Sequence, residues 1–211
     1  MLIDLAIHPE WREKCRKEAQ DLLFRHFGSS PATLREKLGA VPLSAWEEEL
    51  PTLDACIRET QRVHLTRVMF RRNLREETKI GGQIVRRGDF LAYPVVDAHL
   101  NPEYYPDPYK YDPSRWLRAD PVPGVVYPFV GWGAGVHPCA GMKLAKLELK
   151  LVMALFLTRY EFDVVDKDGK FPDPLPASDD NDLHKARVEL RRRYMNAHPS
   201  RIGQPSQHRV L

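Results

Sequence analysis

The chain has 211 residues, of which 43% are hydrophobic and 29% charged, with a formal net charge of +3. That is enough for one sizeable core, and the composition lies outside the disordered class. The small net charge, with lysines and arginines interleaved among acids, argues against nucleic-acid binding. Cys15, Cys56 and Cys139 show no C-x-x-C spacing, which argues against a zinc site and a disulfide framework and fits a reducing compartment.

Leu2 to Ile7 reads as the last turns of an apolar helix, so the chain is expected to be truncated at its N-terminus. The segment is far too short to cross a bilayer and carries no signal-peptide charge pattern, so no membrane anchor is expected here. Pro9 is placed to open the next helix, with Trp11, Cys15, Ala19, Leu22 and Leu23 recurring at helical steps, and Gly28-Ser29-Ser30-Pro31 ends it. Ser44 followed by Glu47 predicts a capping box. Pro51 restarts a helix carrying Leu53, Ile57 and the charged residues Glu59 and Arg62, which share one helix face at i and i+3.

From Thr78 the period shortens. Ile80, Gly81-Gly82, Ile84-Val85, Gly88-Asp89 and then Phe90 to Tyr93 predict short strands joined by glycine turns. Seven prolines between residues 101 and 128 interrupt any period, and the interleaved Tyr104, Tyr105, Tyr109, Tyr111 and Trp116 favour an ordered meander over disorder. After Cys139 comes a strongly periodic helix, with Leu144, Leu147, Leu151, Val152 and Leu155 on one side and Lys143, Lys146 and Lys150 on another. Residues 187–194 read as a charged helix, followed by a polar tail to residue 211.

The most informative stretch is Trp132-Gly133-Ala134-Gly135-Val136-His137-Pro138-Cys139-Ala140-Gly141. It presents one cysteine from a glycine-rich turn just before a helix, where unpaired amides and the helix dipole favour negative charge, and thiolate is the form that binds metal. Gly133 and Gly135 permit a tight turn and close approach of a large flat ligand. The string resembles the haem-binding signature of the cytochrome P450 superfamily: an aromatic residue, two glycines, a basic residue, the ligand cysteine and a following glycine. Two departures are Trp132, where phenylalanine is usual, and Pro138, which removes a backbone amide directly before the cysteine.

Within that resemblance, Glu59, Arg62 and Arg115 of Pro113-Ser114-Arg115-Trp116 match the family's Glu-Arg-Arg triad. The resemblance implies a buried carboxylate between two forked arginines, locking the meander to the helix beneath the haem. His99, Asn101-Pro102 and Pro106-Asp107-Pro108 resemble the family's approach to the meander. Leu65 departs from a common proline. The implied fold is mainly α with a small β region (α+β), the C-terminal part of the P450 fold over residues 1–185, with 186–211 a divergent, charged, flexible tail.

The implied cofactor is haem with an axial thiolate from Cys139, in contact with Trp132, Gly133 and Gly135, and with His137 and Arg72 as partners for its propionates. The implied reaction is monooxygenation, one atom of O₂ entering a small apolar organic substrate, with electrons from an NADPH-dependent reductase. No side chain is assigned a catalytic role, because the cofactor carries the chemistry. Lys143, Lys146 and Lys150 form a stripe suited to docking an acidic reductase. The string looks closest to fungal members, many of which tailor terpenoids or other secondary metabolites and whose full-length forms usually sit on the cytosolic face of the endoplasmic reticulum. The helix bearing the family's oxygen-activating acid-alcohol pair would precede Met1. Two other readings therefore stand beside the enzyme: a catalytically incompetent haem-binding remnant, and a helical interaction module without haem.

Overall fold

The computed structural model describes residues 1–65, 67–118, 122–160 and 162. The helix expected at 187–194, the tail and the boundary near 185 lie outside the described residues. Seven α-helices occur among them: α1 (Leu2–Ile7), α2 (Pro9–Phe27), α3 (Leu34–Ala40), α4 (Leu43–Glu48), α5 (Pro51–His64), α6 (Val95–His99) and α7 (Met142–Arg159). Pro9 and Pro51 each stand at the first helical position, where proline's missing N–H costs nothing and its fixed φ is already helical. Gly28 stops α2 with φ of 51°.

The main core forms where α2, α5 and α7 pack together. It contains Trp11, Cys15, Ala19 and Leu22 from α2, Leu53, Cys56 and Ile57 from α5, and Met153, Ala154 and Leu157 from α7. The Cys15 and Cys56 sulfurs touch at 3.5 Å inside it.

Charged side chains from one helix cap the ends of another. The Glu18 carboxylate accepts the Thr52 and Leu53 amides at 2.8 and 2.9 Å, which satisfies the N-terminus of α5 and favours its dipole. Arg16 Nε donates to the Leu157 carbonyl and Arg12 Nη1 to the Phe162 carbonyl, closing the far end of α7. Lys150 Nζ donates to the Trp46 and Glu47 carbonyls near the end of α4. Lys150 is therefore buried, and the three-lysine stripe is corrected: Lys146 pairs with Asp54 at 3.2 Å and Lys143 alone of the three stands fully in solvent. The periodicity of α7 also faces the other way from expectation, since Leu144, Leu151, Val152 and Leu155 are exposed while Lys150, Met153, Ala154 and Leu157 are buried.

The capping box expected at Ser44 falls elsewhere. Pro42, with extended backbone, is the N-cap and α4 starts at Leu43, two residues earlier than a Ser44 cap requires, so Ser44 lies inside the helix. Thr33 and Glu36 form the capping box, at the start of α3: Thr33 Oγ1 accepts the Glu36 amide and Glu36 accepts the Thr33 amide at 2.8 Å.

The small β region is two antiparallel pairs. Strand β1 (Val68–Arg72) pairs with β4 (Phe90–Pro94), in register Val68 to Pro94 through Arg72 to Phe90, and β2 (Glu77–Ile80) pairs with β3 (Gln83–Arg86). Gly81 and Gly82, with φ of 54° and 83°, make the two-residue turn between β2 and β3, a geometry that requires positive φ at both positions. The proline-rich meander is ordered where described. A 3-10 turn at Pro113–Leu117 packs on α5, and Tyr105, Trp116 and Val122 form a second, smaller core with Ala55.

Candidate functional site

Glu59 and Arg62, one turn apart on α5, are both fully buried, which an ion pair in the interior survives only when every donor and acceptor is matched. They are matched here. Arg62 donates Nε to Glu59 Oε2 at 2.9 Å and Nη2 to Glu59 Oε1 at 2.7 Å, a fork on the carboxylate. Its remaining donors reach three backbone carbonyls: His99 at 2.8 Å, Pro108 at 2.6 Å and Lys110 at 3.2 Å. Glu59 in turn accepts the Asp112 amide and the Trp116 indole N–H, each at 2.9 Å.

Arg115 joins this cluster at ion-pair range, with Nε 3.6 Å from Glu59 Oε1, while its Nη2 donates to the Asp107 carbonyl at 3.1 Å. The second fork expected on the carboxylate is thus absent. The carboxylate is completed instead by the Asp112 amide on Oε1 and the Trp116 indole on Oε2, the latter a contact 57 residues apart in sequence that no spacing rule reveals. The Arg62 guanidinium also lies over the Tyr105 ring at 4.9 Å, and Arg58 lies over Trp116 at 4.8 Å and Phe129 at 5.5 Å.

The cysteine loop follows this cluster in the chain. Gly133 and Gly135 have φ of 78° and 71°, so both take the left-handed conformation in which a side chain is strained. A Cβ on Gly133 would lie 3.3 Å from the His137 carbonyl, whereas one on Gly135 would meet nothing. The Cys139 amide donates to the Trp132 carbonyl at 2.6 Å, closing the loop, and the Met142 amide donates to the Cys139 carbonyl at 3.2 Å, tying it to the start of α7. Cys139 is exposed and free. The apolar residues beside it are exposed too, Val136 at 92% and Leu144 at 60%.

His137 is exposed in the loop, and Trp132 is half-buried, its indole Nε1 enclosed with no hydrogen-bond partner among the described residues. Arg72 stands at the end of β1, held over the Phe90 ring of the paired strand at 5.6 Å. The structure therefore gathers Glu59, Arg62 and Arg115 in one cluster and Trp132, Gly133, Gly135, His137 and Cys139 in one loop, with Arg72 on the hairpin. Among the described residues no group of three or more His, Cys, Asp or Glu could cage a metal ion.

The donor set suits a haem bound through one thiolate. A large flat group needs a single sulfur presented outward, backbone without side chains around it, and apolar surface to cover, and the loop offers each of these. The Trp132 N–H, enclosed and without a partner among the described residues, adds a donor within the same loop.

A family model described as Cytochrome P450 matches residues 1–181. Cytochrome P450 monooxygenase AacuE of Aspergillus aculeatus is 38% identical over 174 residues, covering 81% of this chain and 35% of that protein. Cytochrome P450 monooxygenase dmxR5 of a Cryptosporiopsis species is 36% identical over 168 residues, covering 79% and 32%. The solved structure titled retinoic acid bound cyanobacterial CYP120A1 superposes with a TM-score of 0.61 at 23% identity, covering 82% of this chain and 35% of that one, and shares its fold. The chain thus spans about a third of the length of the curated relatives it matches. With the family model matching most of its length, this chain belongs to the cytochrome P450 family.

Proposed function

We propose that this chain is the haem-thiolate portion of a P450 monooxygenase, with Cys139 as the axial ligand. The observation that carries the reading is the exposed Cys139 thiol, held at the start of α7 by a closed glycine loop and flanked by exposed apolar side chains. When bound, haem supplies the O₂ and electron chemistry of monooxygenation. The chain's own residues present the sulfur, keep side chains out of the approach at Gly133 and Gly135, and offer His137 and Arg72 as partners for the propionates. Glu59, Arg62 and Arg115 do not touch the cofactor in this reading; they hold the meander from which the loop departs.

The substrate we propose is a small apolar organic molecule, in the manner of fungal secondary metabolism and terpenoid tailoring. The electron donor would be an NADPH-dependent reductase meeting exposed Lys143, and the setting the cytosolic face of the endoplasmic reticulum. Residues 1–185 form the haem-binding portion and 186–211 a separate tail. No helix among the described residues is long and apolar enough to cross a membrane.

The test is the reduced, carbon monoxide-bound spectrum of the full chain supplied with haem. A Soret band shifted to the red as thiolate ligation requires, and absent from Cys139→Ala, supports the assignment. Failure of the wild-type chain to incorporate haem refutes it. Product formation with a supplied reductase then separates an active enzyme from a binding remnant.

A further inference from the structure

We infer that His99 is a positioning residue that hangs the cysteine loop from the buried Glu59–Arg62 pair, through its ring Nε2 on one side and its backbone carbonyl on the other. The inference rests on the reading of Cys139 as haem ligand for its functional meaning, though not for its geometry. His99 ends α6 and is fully buried. Its carbonyl accepts Arg62 Nη1 at 2.8 Å, while its Nε2 takes the Val130 amide at 3.0 Å. Its ring lies flat on Phe129, centroids 4.9 Å apart and planes 5° apart.

Phe129 meets the Trp116 ring edge-on at 5.1 Å, and Trp116 donates to Glu59. The contacts close a circuit: Glu59, Arg62, His99, Phe129, Trp116 and back to Glu59. The cysteine loop leaves this circuit at Val130. The Val130 carbonyl accepts the Gly133 amide at 2.9 Å, and the Trp132 carbonyl accepts the Cys139 amide at 2.6 Å, so two backbone bonds carry the position of Val130 to the cysteine. Gly131 leaves room for the Phe129 ring, since a Cβ there would lie 2.3 Å from Cζ.

A backbone amide can only donate. Nε2 of His99 must therefore carry a lone pair, and the neutral ring holds its proton on Nδ1. One tautomer performs this role and the other abolishes it.

Two substitutions separate acceptor from bulk. His99→Gln places an amide oxygen near the Nε2 position and keeps the acceptor; His99→Phe keeps a ring against Phe129 and removes it. Nitrogen-15 chemical shifts of the labelled full chain read the tautomer in the unmodified protein, where Nε2 is expected to be unprotonated. Exchange of the Val130 amide is expected to run about tenfold faster in His99→Phe than in His99→Gln, the scale of one buried hydrogen bond. After haem is supplied, the thiolate-ligated share of the carbon monoxide spectrum is expected to be higher in His99→Gln than in His99→Phe.

A proton on Nε2 in the wild-type chain overturns the inference even if both variants fail to fold. Equal Val130 exchange, or equal thiolate shares, in the two variants overturns it as well. A wild-type chain that takes up no haem defeats the functional reading alone, because the tautomer and the amide exchange still decide whether His99 holds the loop.

Discussion

Arg62→Met tests whether the buried ion pair is an electrostatic feature or an anchor for backbone. In the native arrangement every guanidinium N–H is used, two on Glu59 and three on the carbonyls of His99, Pro108 and Lys110. Breaking a buried pair by removing one partner costs about 3–5 kcal/mol. Three carbonyls also lose their donor, and an unsatisfied buried polar group costs about 1–3 kcal/mol unless water reaches it. The sum is comparable to the whole stability of a domain, roughly 5–15 kcal/mol, so Arg62→Met is expected to unfold the meander.

The informative comparison is the double variant Glu59→Leu/Arg62→Met. Replacing a simple buried ion pair by apolar residues of similar size is often neutral or even stabilising by about 1–4 kcal/mol. Here the replacement removes the acceptor of the Asp112 amide and the Trp116 indole as well as the donor to three carbonyls. The double variant is therefore expected to stay several kcal/mol below wild type in urea unfolding, with proteolysis concentrated between residues 101 and 118. Recovery to within about 1 kcal/mol of wild type would refute the anchoring argument, because it would leave the pair with only the electrostatic role.

Gly131→Ala forces the Phe129 ring off its stack with His99, since its Cβ would sit 2.3 Å from that ring; a loss of about 1–3 kcal/mol and an altered near-ultraviolet circular dichroism are expected. Burial lowers the Lys150 pKa against the opposing pull of Asp54. The unfolded chain then binds more protons in the alkaline window below the ordinary lysine value, so stability is expected to rise as pH climbs through that window. The rise should vanish in Lys150→Met; urea midpoints as a function of pH provide the check. Asp4 is the acidic counterpart. Burial alone would raise its pKa, but the hydrogen bond from His64 at 2.7 Å, with the amino-terminal charge, holds it well below the carboxylate range. The stability it contributes is present above the ordinary carboxylate value and is lost as pH falls below it. His64→Leu, which weakens that hold, should move the acid-unfolding midpoint to higher pH; an unchanged midpoint would count against the assignment.

Local chemistry was legible where it is decided locally. Pro9 and Pro51 open helices because proline's fixed φ and missing N–H act within one residue, and the i, i+3 placement of Glu59 and Arg62 brings the two together on any helix. Features settled by distant chain were not legible. Lys150 reads as a solvent stripe, yet its ammonium goes to the end of α4, a hundred residues away in sequence. Strand β1 carries no alternation of buried and exposed residues, and only its pairing with β4 makes it a strand. Ser44 and Thr33 both precede a glutamate by three residues, yet Thr33 stands just before α3 and caps it, while α4 begins at Leu43 behind Pro42 and leaves Ser44 inside the helix.

The irregular segment from Asn101 onward explains why charge is buried at the centre of this fold. A stretch broken by prolines forms few ladder bonds and has little apolar surface per residue with which to define its path. Apolar packing is tolerant of sliding, whereas a donor–acceptor bond is satisfied over a few tenths of an ångström. The chain accordingly fixes this segment from the helices: Arg62 binds the Pro108 and Lys110 carbonyls, Glu59 the Asp112 amide, and His99 the Val130 amide. Each bond runs from a side chain on α5 or α6 to a backbone group of this segment, and the last of them lies next to the loop. A loop that must present one sulfur atom in one place is thereby set by directional bonds, while the apolar core of α2, α5 and α7 supplies the stability on which those bonds are held.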